Sequence, residues 1–149
     1  MTKEQKKVKV LICERKDLIR IYLQDLFWMN GFEKSCDLSI VSNLDEADVV
    51  VANPETRPDV IFLGLSSSRK KIEERKAADL KYSAEFVRHI KADPDLQRIK
   101  VIMFSTQEEE ELEKSAKGSD VEKYIYHAKN LPKDLVVVIN DLIKEIQSK

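Results

Sequence analysis

An α/β fold built on a mostly parallel sheet is predicted by two features of this chain. Strand-like and helix-like periods alternate from end to end. The central run Asp59-Val60-Ile61-Phe62-Leu63-Gly64-Leu65 also reads as a buried strand entering a loop. A length of 149 residues favours a single domain over 1–149, with a core spanning 8–147.

The elements follow in order. Val8 to Cys13 is a compact β-branched run. Asp17 to Asn30 is a helix, with Asp17 as its expected N-cap and Gly31 as its C-terminal stop. Leu38 to Val41 is a short strand, Leu44 to Ala52 a helix halted before Pro54, and Asp59 to Leu63 the central strand. Ser83 to Ala92 is helical and ends ahead of Pro94. Ile99 to Phe104 is a strand, Glu108 to Lys117 an acidic helix and Tyr124 to Tyr126 a last strand. Pro132 to Ile146 closes the chain as a helix with proline in its first turn. Five βα pairs result. The irregular stretch is 66–82, where a serine run, Ser66-Ser67-Ser68, precedes Arg69-Lys70-Lys71 and a segment rich in Glu/Lys pairs. It reads either as an added surface helix or as a mobile loop.

Charged residues make up 36% of the chain, yet the formal net charge is -1, so no global field draws it to nucleic acid or anionic lipid. No stretch approaches the ~20 apolar residues of a membrane span. The N-terminus is polar and lysine-rich, unlike a signal peptide. Cys13 and Cys36 lie outside CxxC or zinc spacings, and a reduced, cytoplasmic protein is the expectation. No Ser/His/Asp arrangement or metal cluster is visible, and three glycines leave little room for a nucleotide-cradling loop. His89, flanked by Arg88 and Lys91, is expected to be solvated.

Three segments together resemble the receiver domain of two-component response regulators. They are Val10-Leu11-Ile12-Cys13-Glu14-Arg15-Lys16-Asp17-Leu18-Ile19-Arg20, then Arg57-Pro58-Asp59-Val60-Ile61-Phe62-Leu63-Gly64-Leu65, then Phe86 to Pro94 with Ile99 to Ser105. The resemblance covers nearly the whole chain and implies a flavodoxin-like, five-stranded parallel sheet with helices on both faces, a (βα)5 domain. One departure is the connection at 66–82, about twice the family's usual length.

The resemblance also identifies what is missing. Phosphoryl transfer needs a nucleophilic carboxylate, a magnesium ion held by oxygen ligands, and a cation beside the phosphoryl group. The phosphoacceptor aspartate of the family falls on Gly64, which carries no nucleophile. The acidic pair falls on Glu14 and Arg15, and a guanidinium cannot ligate a cation; it is expected to pair with Glu14 and fill the metal's space. The conserved lysine falls on His127, followed by Ala128 where the family usually has proline. One carboxylate remains where three are expected. Asp59 lies five residues before Gly64, roughly 16 Å away along a strand, too far to substitute. Ser105 and Tyr124 match the family's switch residues, a hydroxyl and an aromatic.

Surface apolar residues complete the reading. In the first helix Ile19, Leu23 and Leu26 share the core face, whereas Ile21 and the sole tryptophan, Trp28, lie on the opposite side as a candidate partner surface. In the last helix Val136 and Ile143 widen the stripe of Leu135, Val138, Ile139, Leu142 and Ile146, either as a dimerisation flank or as broad core, and Val137 faces away. The acidic patch Gln107 to Glu113 is a solvated face or a site for a basic partner.

The function expected is that of an atypical pseudo-receiver: not an enzyme, without cofactor or metal, signalling by protein contact without phosphorylation. Its partner would be a histidine kinase, a phosphotransfer or other signalling protein, or a second copy in a homodimer, and neither nucleic acid nor membrane. No output module follows the last helix, so output would pass through that partner. The alternative is a divergent receiver still switched by a ligand or modification near Ser105 and His127.

Overall fold

The computed structural model describes residues 7–64, 77–105, 123–126 and 133–148, with backbone alone for 77–84, 104–105, 123–126 and 133–135. Five parallel strands form one sheet in the order β2-β1-β3-β4-β5. They are β1 (Val8–Cys13), β2 (Cys36–Val41), β3 (Val60–Gly64), β4 (Lys100–Ser105) and β5 (Lys123–Tyr126). The helices are α1 (Asp17–Met29), α2 (Leu44–Ala52), α3 (Ala77–Ala92) and α4 (Lys133–Gln147), with a 3-10 turn at Phe32–Lys34.

The strand period of two divides the apolar residues between two cores. Val8, Val10, Ile12, Val60, Phe62 and Ile102 meet Leu23, Leu26 and Phe27 of α1 and Val138, Ile139 and Leu142 of α4. Leu11, Cys13, Ile61, Leu63, Val101 and Met103 meet Leu44, Ala47 and Val51 of α2 and Phe86, Val87 and Ile90 of α3. Helices therefore cover both faces, and every residue of β3 is buried. Phe27 packs edge-on to both Phe32 and Phe62, at ring-centroid distances of 5.6 and 6.0 Å.

Local chemistry sets the boundaries. Gly31 takes φ 72, the left-handed conformation that lets the chain leave α1, and its N–H bonds Trp28 O at 3.1 Å. At the start of α2, Asn43 Oδ1 accepts from Glu46 N–H at 2.9 Å, while Glu46 Oε1 accepts from Ser42 N–H and Ser42 Oγ. That reciprocal pairing satisfies donors which an uncapped helix leaves open.

Three expectations are corrected. Asp17 is not the N-cap of α1; Lys16 holds that position without a side-chain cap, and Asp17 is the first helical residue. The helix expected from Ser83 begins at Ala77, so the end of the 66–82 stretch is helical, whereas 65–76 lie outside the described residues. Ile143 is buried in the α1/α4 core and the half-buried Val136 packs against it, so of the two readings offered for this flank the broad core is the one observed; Val137 is the exposed member. The expected helix Glu108–Lys117 and Pro132 lie outside the described residues.

Both cysteines are free and buried, one in each core. Burial pushes the Cys36 thiol up from 9.0 to about 11, with the Asp37 carboxylate adding to the rise and Lys7 opposing it. The folded state thus holds the proton more tightly than the unfolded chain. The contribution is fully present below about pH 9 and is lost as pH rises towards 11. Native protein at pH 8 should therefore label at Cys36 far more slowly with a thiol reagent than unfolded protein does, and equal rates would contradict the burial of Cys36.

Candidate functional site

In a parallel sheet the crevice forms where the strand order reverses, outside the carboxyl ends of the strands. Here β1 sends its connection one way to β2, and β3 then lies on the other side, so the crevice falls between the ends of β1 and β3. Cys13 pairs with Leu63, which brings Glu14 alongside Gly64. Gly64 pairs with Phe104, which puts Ser105 one step further along the neighbouring strand. Three positions distant in sequence thus meet at one edge, on strands about 4.8 Å apart.

Glu14 is buried at 2% exposure, the one acidic residue among the buried side chains described. Its N–H continues the β1–β2 ladder to Val41 O at 3.1 Å, and its Oε1 accepts from Lys16 N–H at 3.1 Å. A carboxylate out of water needs such partners, because an unsatisfied one loses its hydration without return. The loop from β1 to α1 is held by Arg20. Its Nη1 donates to Glu14 O at 2.8 Å and to Arg15 O at 2.9 Å, and its Nη2 pairs with Asp17. Arg15 itself is exposed. Gly64 is buried and brings backbone only.

No protein-family model matches the chain, nor does any curated protein sequence. Solved structures do. A response regulator from Chloroflexus aurantiacus superposes with a TM-score of 0.72 at 13% identity, over 93% of this chain and 99% of its own. The phosphorylated cyanobacterial phytochrome response regulator RcpA gives 0.67 at 22%, over 97% and 96%. Vibrio cholerae chemotaxis protein CheY4 gives 0.66 at 16%, over 92% and 99%. This is the receiver fold. At such identities the likeness speaks for the fold, and the chemistry has to be argued from residues.

Those residues do not fit a magnesium ion. A hard divalent cation asks for several oxygen ligands in octahedral array. At the edge of this receiver fold Glu14 offers one carboxylate, position 15 a guanidinium and position 64 no side chain. Among the described residues, no group of three His, Cys, Asp or Glu side chains could hold a metal. Asp59 sits at the opposite edge of the sheet, where its Oδ2 accepts from Lys9 N–H at 2.9 Å.

The backbone of Ser105 lies at the end of β4 beside Tyr126, and Tyr124 pairs with Met103 on the edge strand. His127 lies outside the described residues. Ile21 and Trp28 are exposed at 53% and 70%, joined on α1 by Leu18 at 81% and Met29 at 77%. At about 100° per residue these four share one sector of the helix, away from Leu23 and Leu26. His89 is exposed on α3. No helix among the described residues is long and apolar enough to cross a membrane.

The loop clamp by Arg20 was not legible in advance, although its spacing from Asp17, i to i+3, is a helical pairing distance. Leu18 and Met29 were equally open to detection from helical spacing. Replacing Arg20 by Ala should cost about 1.5–3 kcal/mol of stability, the range for hydrogen bonds to a charged group. It should also speed amide exchange in residues 14–17 selectively. An unchanged denaturation midpoint and exchange pattern would show that the clamp carries no weight.

Proposed function

We propose that this chain is a signalling module of the receiver fold that takes no phosphoryl group at position 64 and acts by protein contact. Gly64 carries the reading: the place where the fold presents a nucleophile is buried backbone, next to one carboxylate, Glu14. A phosphoryl acceptor at this edge would need a side-chain oxygen and a cation to offset the incoming charge. The α1 surface supports the second half. Four large apolar side chains in one sector are more than the scattered single hydrophobes of an ordinary solvated face. A tryptophan among them is the residue type that most often anchors an interface. A helical bundle of a histidine kinase or phosphotransfer protein is the partner class this face suits, since an exposed helix stripe packs readily against other helices.

Two experiments test the reading. Incubation with acetyl phosphate and magnesium should leave the wild type at its original mass, with a Gly64→Asp variant alongside. Labelling of the variant alone would assign the silence to Gly64. Labelling of neither would extend it to positions 15 and 127, whereas a labelled wild type would overturn the proposal. For the contact surface, Trp28 is the sole tryptophan and so reports directly. Titration with a partner bundle from the same genome should shift its emission to shorter wavelength, and Ile21→Asp should weaken that binding at least tenfold. A shift that survives Ile21→Asp would move the interface off α1.

A further inference from the structure

We infer that the amino-terminal edge of the sheet, opposite the Glu14–Gly64 edge, binds a small multiply charged anion. A cleft of about 440 Å³ opens there, within the size range of small-molecule sites. Lys7, Lys9, Arg57, Arg98 and Lys100 line it, against one carboxylate, Asp59. They come from segments scattered over most of the chain and converge because β1, β3 and β4 begin side by side.

The existing contacts leave an excess of positive charge. Lys9 Nζ donates to Glu55 O at 2.9 Å, and Arg57 donates from Nε to Val51 O at 2.9 Å and from Nη2 to Ala52 O. These acceptors are carbonyls at and beyond the end of α2, which carry only the partial charge of a helix terminus. Lys100 pairs with Glu145 at 2.8 Å. Lys7 lies 3.9 Å from Asp37, an exposed contact of the kind that contributes little. Arg98 is exposed and makes no hydrogen bond or ion pair among the described residues. Even when Asp37 and Glu145 are counted with Asp59, five cations face three carboxylates among the described residues, in a chain whose net charge is -1.

Two features favour a compact ligand with several oxyanion charges. Arg57 and Lys9 are tethered by their carbonyl contacts, so part of the site is ordered before anything binds. Arg98 supplies a planar fork suited to two oxygens of a phosphoryl or carboxylate group. A phosphoryl compound and a polycarboxylate share this chemistry.

Isothermal titration at fixed ionic strength, with pyrophosphate and citrate as probes, separates the sources. Saturable one-to-one binding of at least one probe is expected, at least tenfold weaker in Arg98→Ala and in Lys7→Ala. Pyrophosphate alone would assign a phosphoryl ligand, and both together a general polyanion. Arg98→Ala should keep the unliganded melting temperature, because Arg98 makes no hydrogen bond or ion pair among the described residues. Absence of saturable binding, or binding that both variants leave unchanged, would overturn the site.

Discussion

The structure depends on strands that are buried on both faces. Residues of β1 and β3 alternate between the α1/α4 core and the α2/α3 core, and neither side offers them water. A side chain inside such a strand has to be apolar, because each polar group would lose its hydration without a partner. Polar chemistry is thereby expelled to the two ends of the strands. The helices on either face, the register between strands and the position of both edges follow from that exclusion.

The two edges have acquired opposite characters. At the carboxyl edge the sheet presents Glu14 and the backbone of Gly64, held in a loop whose carbonyls are gathered by Arg20. At the amino edge, five cations from three segments converge around Asp59, beyond the end of α2. Part of this asymmetry is generic, since helix termini at one edge carry partial negative charge and attract lysine and arginine.

Helix α1 shows how one element serves two purposes. Leu23, Leu26 and Phe27 are buried against the sheet, and Phe27 links α1 to Phe62 of β3 and to Phe32 beyond the helix end. The same thirteen residues expose Leu18, Ile21, Trp28 and Met29. Substitutions on the exposed sector leave the aromatic contacts untouched, so that sector can vary independently of the core. In α4 no such division exists between Ile143 and Val138, which share one broad buried stripe.

Among the described residues, sequence alone determined the order of the strands and α-helices, because each buried strand writes itself as a short apolar run and each helix as a 3.6-residue period. Val8–Cys13 and Leu44–Ala52 emerged with their boundaries intact. It also determined that position 64 has no nucleophile, since an absent side chain needs no coordinates. Boundaries set by competition between side-chain partners were not legible: the N-cap of α1 passed from Asp17 to Lys16, and Asp17 turned to Arg20 instead. Whether Ile143 faced a partner or the core depended on where α4 lands on the sheet, which periodicity does not specify. The basic cleft was hidden for the same reason. Lys7, Lys9, Arg57, Arg98 and Lys100 are scattered surface charges along the chain, and only the parallel pairing of β1, β3 and β4 brings them to one edge.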